Sequence, residues 1–158
     1  MNSVNNEKNI RESVTACVHR YNWQHLIFVS KYRYRMFKNP KTCHIIHDAI
    51  CDVAQRHGIG VKEFAVGEDF EHIHLEVDVP NTMSVSTAVQ LLKGYSSYVV
   101  FKEIPGHRLR YPKGHLFSLG KFCRTVGPVD LEKEIDYVQN QAMKHSLDPQ
   151  QKKMSWFT

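Results

Sequence analysis

The chain has 158 residues, which is enough for one domain with a hydrophobic core. Charged residues make up 23% of it and apolar residues 42%, which excludes disordered and collagen-like classes. Lys and Arg number 21 against 16 Asp and Glu, and the resulting net charge of +5 is compatible with a polyanionic partner.

The sequence also indicates the cellular setting. No apolar run approaches the roughly 18 residues that a membrane span requires, and the polar start lacks the apolar segment of a signal peptide. We therefore expect a cytoplasmic protein that is not associated with a membrane. The four cysteines form no CxxC pair, which favours reduced structural thiols over a disulfide or a zinc site. They are Cys17, Cys43, Cys51 and Cys123.

The first half of the chain alternates strands with one long helix. A β-like pattern begins at Val14, and residues 23–31 contain an apolar run long enough for a central strand. Asn39 followed by Pro40 is typical of a helix start, and that helix is predicted to end near His57, before Gly58. Two further strands are predicted over residues 59–66 and 72–79, joined by a turn over residues 67–71.

The second half supplies another helix, a strand and a last helix. The second helix is predicted to begin after Ser84 or Ser86 and to end near Glu103. A basic loop over residues 107–115 precedes a strand over residues 116–126. Asp130 is the predicted cap of a last helix over residues 131–145.

The order β-α-β-β-α-β plus one extra helix predicts an α+β, ferredoxin-like (RRM-like) fold, with an antiparallel sheet and helices on one face. No repeat or low-complexity segment divides the chain. We therefore predict a single domain over residues 1–158, with flexible tails at 1–12 and 146–158.

The third strand carries a pair of histidines. Side chains alternate along a strand, so Ile73 and its apolar neighbours face the core while His72 and His74 project from the opposite face. At the backbone the two histidines are roughly 6–7 Å apart, close enough for both to bind one metal ion. The alternative is two solvated histidines on an exposed strand.

The last helix carries a tyrosine and a glutamine on one face. Tyr137 and Gln141 are four residues apart, and the amide oxygen of glutamine can act as a neutral ligand. Taken alone, the same residues are compatible with a tyrosine at the edge of the core and a surface glutamine.

Together these motifs resemble the single-tyrosine HUH transposases, the TnpA-like enzymes that move small insertion sequences as single-stranded DNA. His72-Ile-His74 matches the His-hydrophobic-His motif, and the segment from Tyr137 to Gln141 matches the nucleophile helix. The likeness extends to residues 25–33, 91–97 and 124–127.

The resemblance implies a site and a reaction. Tyr137 would be the nucleophile that forms a 5′-phosphotyrosine, and His72, His74 and Gln141 would hold Mg²⁺ or Mn²⁺. Glu76 and Asp78 share the strand face of the histidines. We expect them either to orient an imidazole or, as the slightly favoured alternative, to be solvated acids.

Basic and aromatic residues after the first strand, and a second basic cluster after the second helix, predict the DNA-binding surface. The residues singled out are Lys31, Tyr32, Arg33, Tyr34, Arg35, Lys93, Arg108 and Arg110. The expected ligand is single-stranded DNA with hairpins at the element ends.

The resemblance also implies a homodimer in which the tyrosine helix of one subunit completes the histidine pair of the other, with Gly127 as the hinge. A plain turn at the entry to the helix is compatible with the same residues. Two alternatives remain open. One is a domesticated relative that cuts repeat-associated hairpins. The other is a non-catalytic nucleic-acid-binding module, since RNA binders share this element order.

Overall fold

The computed structural model describes residues 21–120, 122–127, 133 and 135–137. These ranges contain four strands and three α-helices with defined bounds, together with two short 3-10 helices, Lys31–Arg33 and Met36–Lys38, and the helical residues 133 and 135–137. The strands and α-helices are β1 (Trp23–Val29), α1 (Pro40–Arg56), β2 (Gly60–Val66), β3 (His72–Asp78), α2 (Val85–Glu103), α3 (His107–Arg110) and β4 (Phe122–Thr125). Apart from the four-residue helix α3, this is the predicted order. The β-like pattern from Val14 and both predicted tails lie outside the described residues.

The strands form one sheet in the order β2-β3-β1-β4, and each neighbouring pair is antiparallel. This is the ferredoxin-like arrangement that the sequence predicts. On β1 and β3, His25 lies opposite Glu76 and Ile27 lies opposite His74. Because directly opposed residues share a face, the register places these four side chains on the same side of the sheet.

The opposite side of the sheet carries the hydrophobic core. Leu26 and Phe28 of β1, and Ile73 and Leu75 of β3, are almost fully buried within it. Helices α1 and α2 supply the other half of this core, and their members include Ile46, Ile50, Val53, Val89, Leu92 and Val100. The helices therefore cover one face of the sheet, and the histidine face lies on the other.

Both long helices begin where the sequence predicts. The side chain of Asn39 accepts a hydrogen bond from the Lys41 backbone N–H at 2.9 Å, and Pro40 is the first helical residue of α1. Ser84, rather than Ser86, caps α2 by accepting from the Thr87 backbone N–H at 3.1 Å. Gly58 follows α1 with φ +67°, a conformation that glycine adopts without strain.

The strand predicted over residues 116–126 is wrong in its first half. Among the described residues of this segment, Phe122–Thr125 pairs as a strand, whereas Phe117 forms a single antiparallel bridge with Ser30. Leu116 and Phe117 are both buried, so consecutive side chains enter the core and the alternation of a strand is lost. The segment is bonded as a loop across the end of β1, where Lys31 N–H donates to the Leu116 carbonyl at 2.8 Å. The basic stretch that follows α2 was predicted to be a loop throughout, and it contains α3.

Two further predictions concern chemistry and membranes. Cys43, Cys51 and Cys123 are free thiols, as predicted, and burial raises the pKa of Cys43 to about 12. Cys17 lies outside the described residues. Within the ranges that the structure describes, none of the helices is long and apolar enough to cross a bilayer.

Candidate active site

Strand β3 brings His72 and His74 together as predicted. Their side chains lie on the face opposite the core, and the two Nε2 atoms are 3.0 Å apart. His74 is 7% exposed, so the pair is not a set of solvated side chains. Gly67, at the start of the β2–β3 turn, makes room for the His72 ring, because a Cβ atom at that position would collide with the imidazole.

The β2–β3 turn supplies a carboxylate that the sequence analysis did not identify. Asp69 Oδ1 lies 2.8 Å from His72 Nδ1 and also accepts from the Glu71 backbone N–H at 2.9 Å. The carboxylate is therefore held by its own turn before it contacts the histidine. Because a carboxylate accepts the hydrogen on Nδ1, the Nε2 atom of neutral His72 carries the lone pair. The signal that could have identified Asp69 from the sequence is an acidic residue three positions before a histidine in a strand.

Strand β1 contributes a second unidentified residue, His25. Its Nε2 atom lies 3.0 Å from His74 Nδ1, and its Nδ1 atom lies 3.6 Å from Glu76 Oε1. Glu76 is fully buried, so the expectation of a solvated acid is wrong at this position. Asp78 lies at the end of β3, where it accepts from the Asn22 backbone N–H at 2.7 Å. Of the two acids, Glu76 is thus the one in contact with the histidine cluster.

The electrostatic setting keeps His74 neutral. Burial is the main cause that lowers its pKa to about 4, and the neighbouring His72 and His25 lower it further. A neutral imidazole is the form that binds metals, and nitrogen–metal bonds are about 2.0–2.1 Å for zinc. Two Nε2 atoms 3.0 Å apart can therefore contact one ion. Among the described residues, no group of three or more His, Cys, Asp and Glu side chains is arranged to hold a metal, so further ligands would have to come from elsewhere.

The predicted nucleophile lies in a helical segment. Lys133 and residues 135–137 are helical, and Tyr137 is 53% exposed. Its ring is therefore accessible to a substrate. Gln141 lies outside the described residues, so its role as a ligand stays a prediction. Gly127 is the last described residue before this segment. Its role as a hinge likewise stays a prediction.

The predicted DNA-binding stretch begins directly after β1. Tyr32 and Tyr34 are 49% and 39% exposed, and Tyr32 stacks on the buried Tyr111 with ring centroids 6.5 Å apart. Tyr32 and Arg33 both have positive φ angles, 61° and 53°. Left-handed backbone is strained for such residues and occurs often at functional sites. The strained turn therefore presents two aromatic faces to solvent.

A cavity of about 460 Å³ lies beside this turn. Its basic lining residues are Arg35, Lys38, His107 and Arg110. None of the described residues that line it is acidic, so the cavity favours anions. Arg35 also connects it to the histidine site, because its Nε–H donates to the Asp69 carbonyl at 3.1 Å.

The other predicted DNA contacts have partners within the protein. Arg33 forms an ion pair with Glu71 at 3.0 Å, and the guanidinium of Arg108 lies 4.9 Å above the Phe101 ring. The Lys93 ammonium donates to the carbonyls of Ser118 and Gly120 at 2.9 and 2.8 Å. The Lys31 ammonium lies 5.6 Å from the centre of the Tyr32 ring. The structure thus groups Arg35 and Arg110 at one cavity and places Lys93 where it fastens a loop.

Sequence comparison relates the chain to known proteins over most of its length. Residues 17–141 match the family model described as "Transposase IS200 like". The transposases for insertion sequence element IS200 of Salmonella typhimurium and Salmonella typhi are each 25% identical over 126 residues, covering 80% of both chains.

Two solved structures share the fold. A Deinococcus radiodurans protein assigned as a transposase superposes with a TM-score of 0.61 at 22% identity, covering 77% of this chain and 92% of its own. A REP-associated tyrosine transposase bound to a REP hairpin superposes with a TM-score of 0.57 at 13% identity, covering 81% and 70%. Since the family model spans most of the sequence, the chain belongs to the IS200-like transposase family.

Proposed function

We propose that this transposase cleaves and rejoins single-stranded DNA through a covalent bond between Tyr137 and a 5′-phosphate, assisted by a divalent metal. The proposal rests on one observation: the Nε2 atoms of His72 and His74 lie 3.0 Å apart on the face of the sheet opposite the hydrophobic core. Two buried or half-buried imidazoles with engaged Nδ1 atoms are a donor set for a metal.

The proposed ligands are His72, His74 and Gln141, and the proposed ion is Mg²⁺ or Mn²⁺. Imidazole alone would favour zinc, but the transfer of a phosphoryl group in an open octahedral site favours magnesium or manganese. When bound, the ion would neutralise charge on the scissile phosphate and orient its non-bridging oxygen.

In the cleavage step, the Tyr137 oxygen attacks phosphorus and releases its proton to solvent. The bond between phosphorus and the 3′ oxygen breaks, and that oxygen leaves as a 3′-OH after taking up a proton. The exposed ring of Tyr137 is compatible with this role. Since the phosphotyrosine keeps the energy of the phosphodiester bond, rejoining needs no nucleotide cofactor.

The proposed DNA partner is a single strand with a hairpin at each element end. The exposed rings of Tyr32 and Tyr34 are suited to stacking on unpaired bases, and the cavity at Arg35 and Arg110 is suited to a phosphate. A structural relative bound to a REP hairpin adds support. The same relative favours, as a second candidate, a domesticated enzyme that cuts repeat-associated hairpins.

We further propose a homodimer in which the tyrosine helix of one subunit completes the histidine pair of the other. Gly127 lies between β4 and the segment that contains Tyr137, which is where an exchange would require a hinge. The partners described for His72 and His74 come from Asp69 and His25 of the same chain. A helix from either subunit is compatible with these contacts.

The test uses labelled single strands from the DNA on either side of the coding sequence. Incubation with Mn²⁺ should give cleaved DNA and a protein–DNA band that survives denaturing electrophoresis. Fully paired duplex of the same sequence should stay intact, because the chain has no nucleotide-hydrolysing motif to drive melting. Equal cleavage of duplex and single strand, or activity that survives EDTA, would contradict the proposal.

A further inference from the structure

The buried chain from Glu76 through His25 to His74 joins two strands across the site face. Glu76 and His74 belong to β3, whereas His25 belongs to β1 and lies opposite Glu76 in the register. His25 is 5% exposed, His74 is 7% exposed and Glu76 is fully buried. Polar groups at this depth are placed by their partners rather than by water.

We propose that His25 and Glu76 are positioning residues that hold His74 in the tautomer with its hydrogen on Nδ1 and its lone pair on Nε2. The inference depends on the proposed function only for the role of that lone pair, which is to bind a divalent metal. The tautomer itself follows from the contacts and can be measured without metal.

The contacts determine, one after another, which nitrogen of each imidazole carries its hydrogen. The Glu76 carboxylate, 3.6 Å from His25 Nδ1, favours the hydrogen on that nitrogen. His25 Nε2 then carries a lone pair and must accept across its 3.0 Å contact with His74. His74 Nδ1 is therefore the donor, and His74 Nε2 is left with its lone pair.

The Nδ1 hydrogens of His72 and His74 are thus held by different acceptors, Asp69 and His25. Asp69 accepts from His72 Nδ1 at 2.8 Å, whereas the Glu76 carboxylate acts on His25 Nδ1 electrostatically, from 3.6 Å. Both Nε2 atoms then carry lone pairs that face each other at 3.0 Å. Two lone pairs at this distance repel each other, and a cation that lies against both would remove that repulsion.

Loss of the His25 acceptor has a defined consequence. In His25→Leu, the His74 Nδ1 hydrogen has no partner on β1, and the Nε2–H tautomer gains a hydrogen bond to His72 Nε2. That tautomer blocks the nitrogen that a metal needs. Partners that orient a histidine ligand typically change metal affinity by 10- to 100-fold.

The experiment measures the tautomer and metal affinity in the full-length protein. Long-range ¹H–¹⁵N correlation spectra at pH 7, without metal, report which nitrogen of His74 carries hydrogen. Calorimetric titration with Mn²⁺ reports affinity for His25→Leu, His25→Gln and Glu76→Gln. His44→Leu, on the exposed side of α1, is the matched control, and thermal unfolding confirms that each variant is folded.

We expect the Nδ1–H tautomer in the wild type, and a 10- to 100-fold loss of Mn²⁺ affinity in His25→Leu with a shift to Nε2–H. His25→Gln places an amide oxygen near the position of Nε2, so it should stay within about three-fold of the wild type. Glu76→Gln should fall between them.

An Nε2–H tautomer in the wild type, or unchanged Mn²⁺ affinity in folded His25→Leu, would overturn the proposal. A wild type with the Nδ1–H tautomer that binds no Mn²⁺ would support the positioning role and instead contradict the metal in the proposed function. The two failures are therefore distinguishable.

Discussion

Asp69 Oδ1 lies 2.8 Å from His72 Nδ1, so a carboxylate from the β2–β3 turn sets which nitrogen of a strand histidine faces the site. The turn is itself strained, with Phe70 at φ +59°. A strained residue beside a carboxylate that orients a histidine is typical of a functional site.

The first prediction concerns that carboxylate. Asp69→Ala should lower single-strand cleavage and Mn²⁺ affinity by about 10- to 100-fold, because His72 loses its Nδ1 partner. Asp69→Asn keeps an oxygen that can accept from His72 and from the Glu71 N–H, so its loss should be smaller. Glu68→Ala, next in the turn, is the control. An equal loss in Glu68→Ala would show that the turn as a whole, rather than Asp69, matters.

The second prediction concerns the space around His72. Gly67→Ala should reduce cleavage at least 10-fold, because the added Cβ would displace the imidazole. Gly94→Ala is the matched control, since nothing lies within 4 Å of its added Cβ in α2. It should leave cleavage unchanged and raise the free energy of unfolding by about 0.5–1 kcal/mol in urea titrations. Full activity in Gly67→Ala would contradict the close contact between the backbone of Gly67 and the ring of His72.

The third prediction concerns pH. The folded-state pKa of His74 is lowered to about 4, so between pH 6.5 and 4 the unfolded chain binds a proton there that the folded protein does not. Stability therefore falls as pH decreases through this window, by an amount on the order of 2 kcal/mol at pH 5 for this one group.

Urea unfolding of the wild type and His74→Asn at pH 7.5 and pH 5 provides the measurement. The loss of stability on acidification should be smaller in His74→Asn, because asparagine does not titrate. Identical pH dependence in both proteins would show that His74 does not carry this effect.

The fourth prediction concerns the basic cavity. Lys38→Ala and Arg110→Ala should each weaken binding of a hairpin with a single-stranded flank, and each should reduce the salt dependence of the binding constant by about one unit of slope. Arg56→Ala is the control, because it removes the same charge from a residue on α1 that lies outside the cavity and forms an ion pair with Asp52 at 2.6 Å. If Arg56→Ala weakens binding as much, the effect is one of net charge rather than of the cavity.

Sequence periodicity was sufficient for the first three strands, for the two long helices and for the face of the histidine pair, but it failed over residues 116–120 and at α3. Asn39, Pro40 and Ser84 mark the helix starts because capping is local chemistry. The period of two assigned His72 and His74 to one face, but it says nothing about how deeply a face is buried. The burial of Glu76 was therefore missed.

The contact between His25 and His74 was beyond local reasoning for a different reason. The two residues are 49 positions apart and meet only because β1 pairs with β3 in this register. A lone histidine in an apolar strand carries no signal of its partner. Asp69 was missed because a turn acid is usually solvated.

The most direct test of the central claim is to locate the covalent bond. The protein is incubated with Mn²⁺ and single-stranded DNA from the flanks of its gene, digested with nuclease and protease, and analysed by tandem mass spectrometry. Our account predicts a nucleotide linked through phosphate to Tyr137, and no adduct in Tyr137→Phe, which keeps the ring but lacks the oxygen. Cleavage without any adduct, or an adduct that persists in Tyr137→Phe, would contradict it.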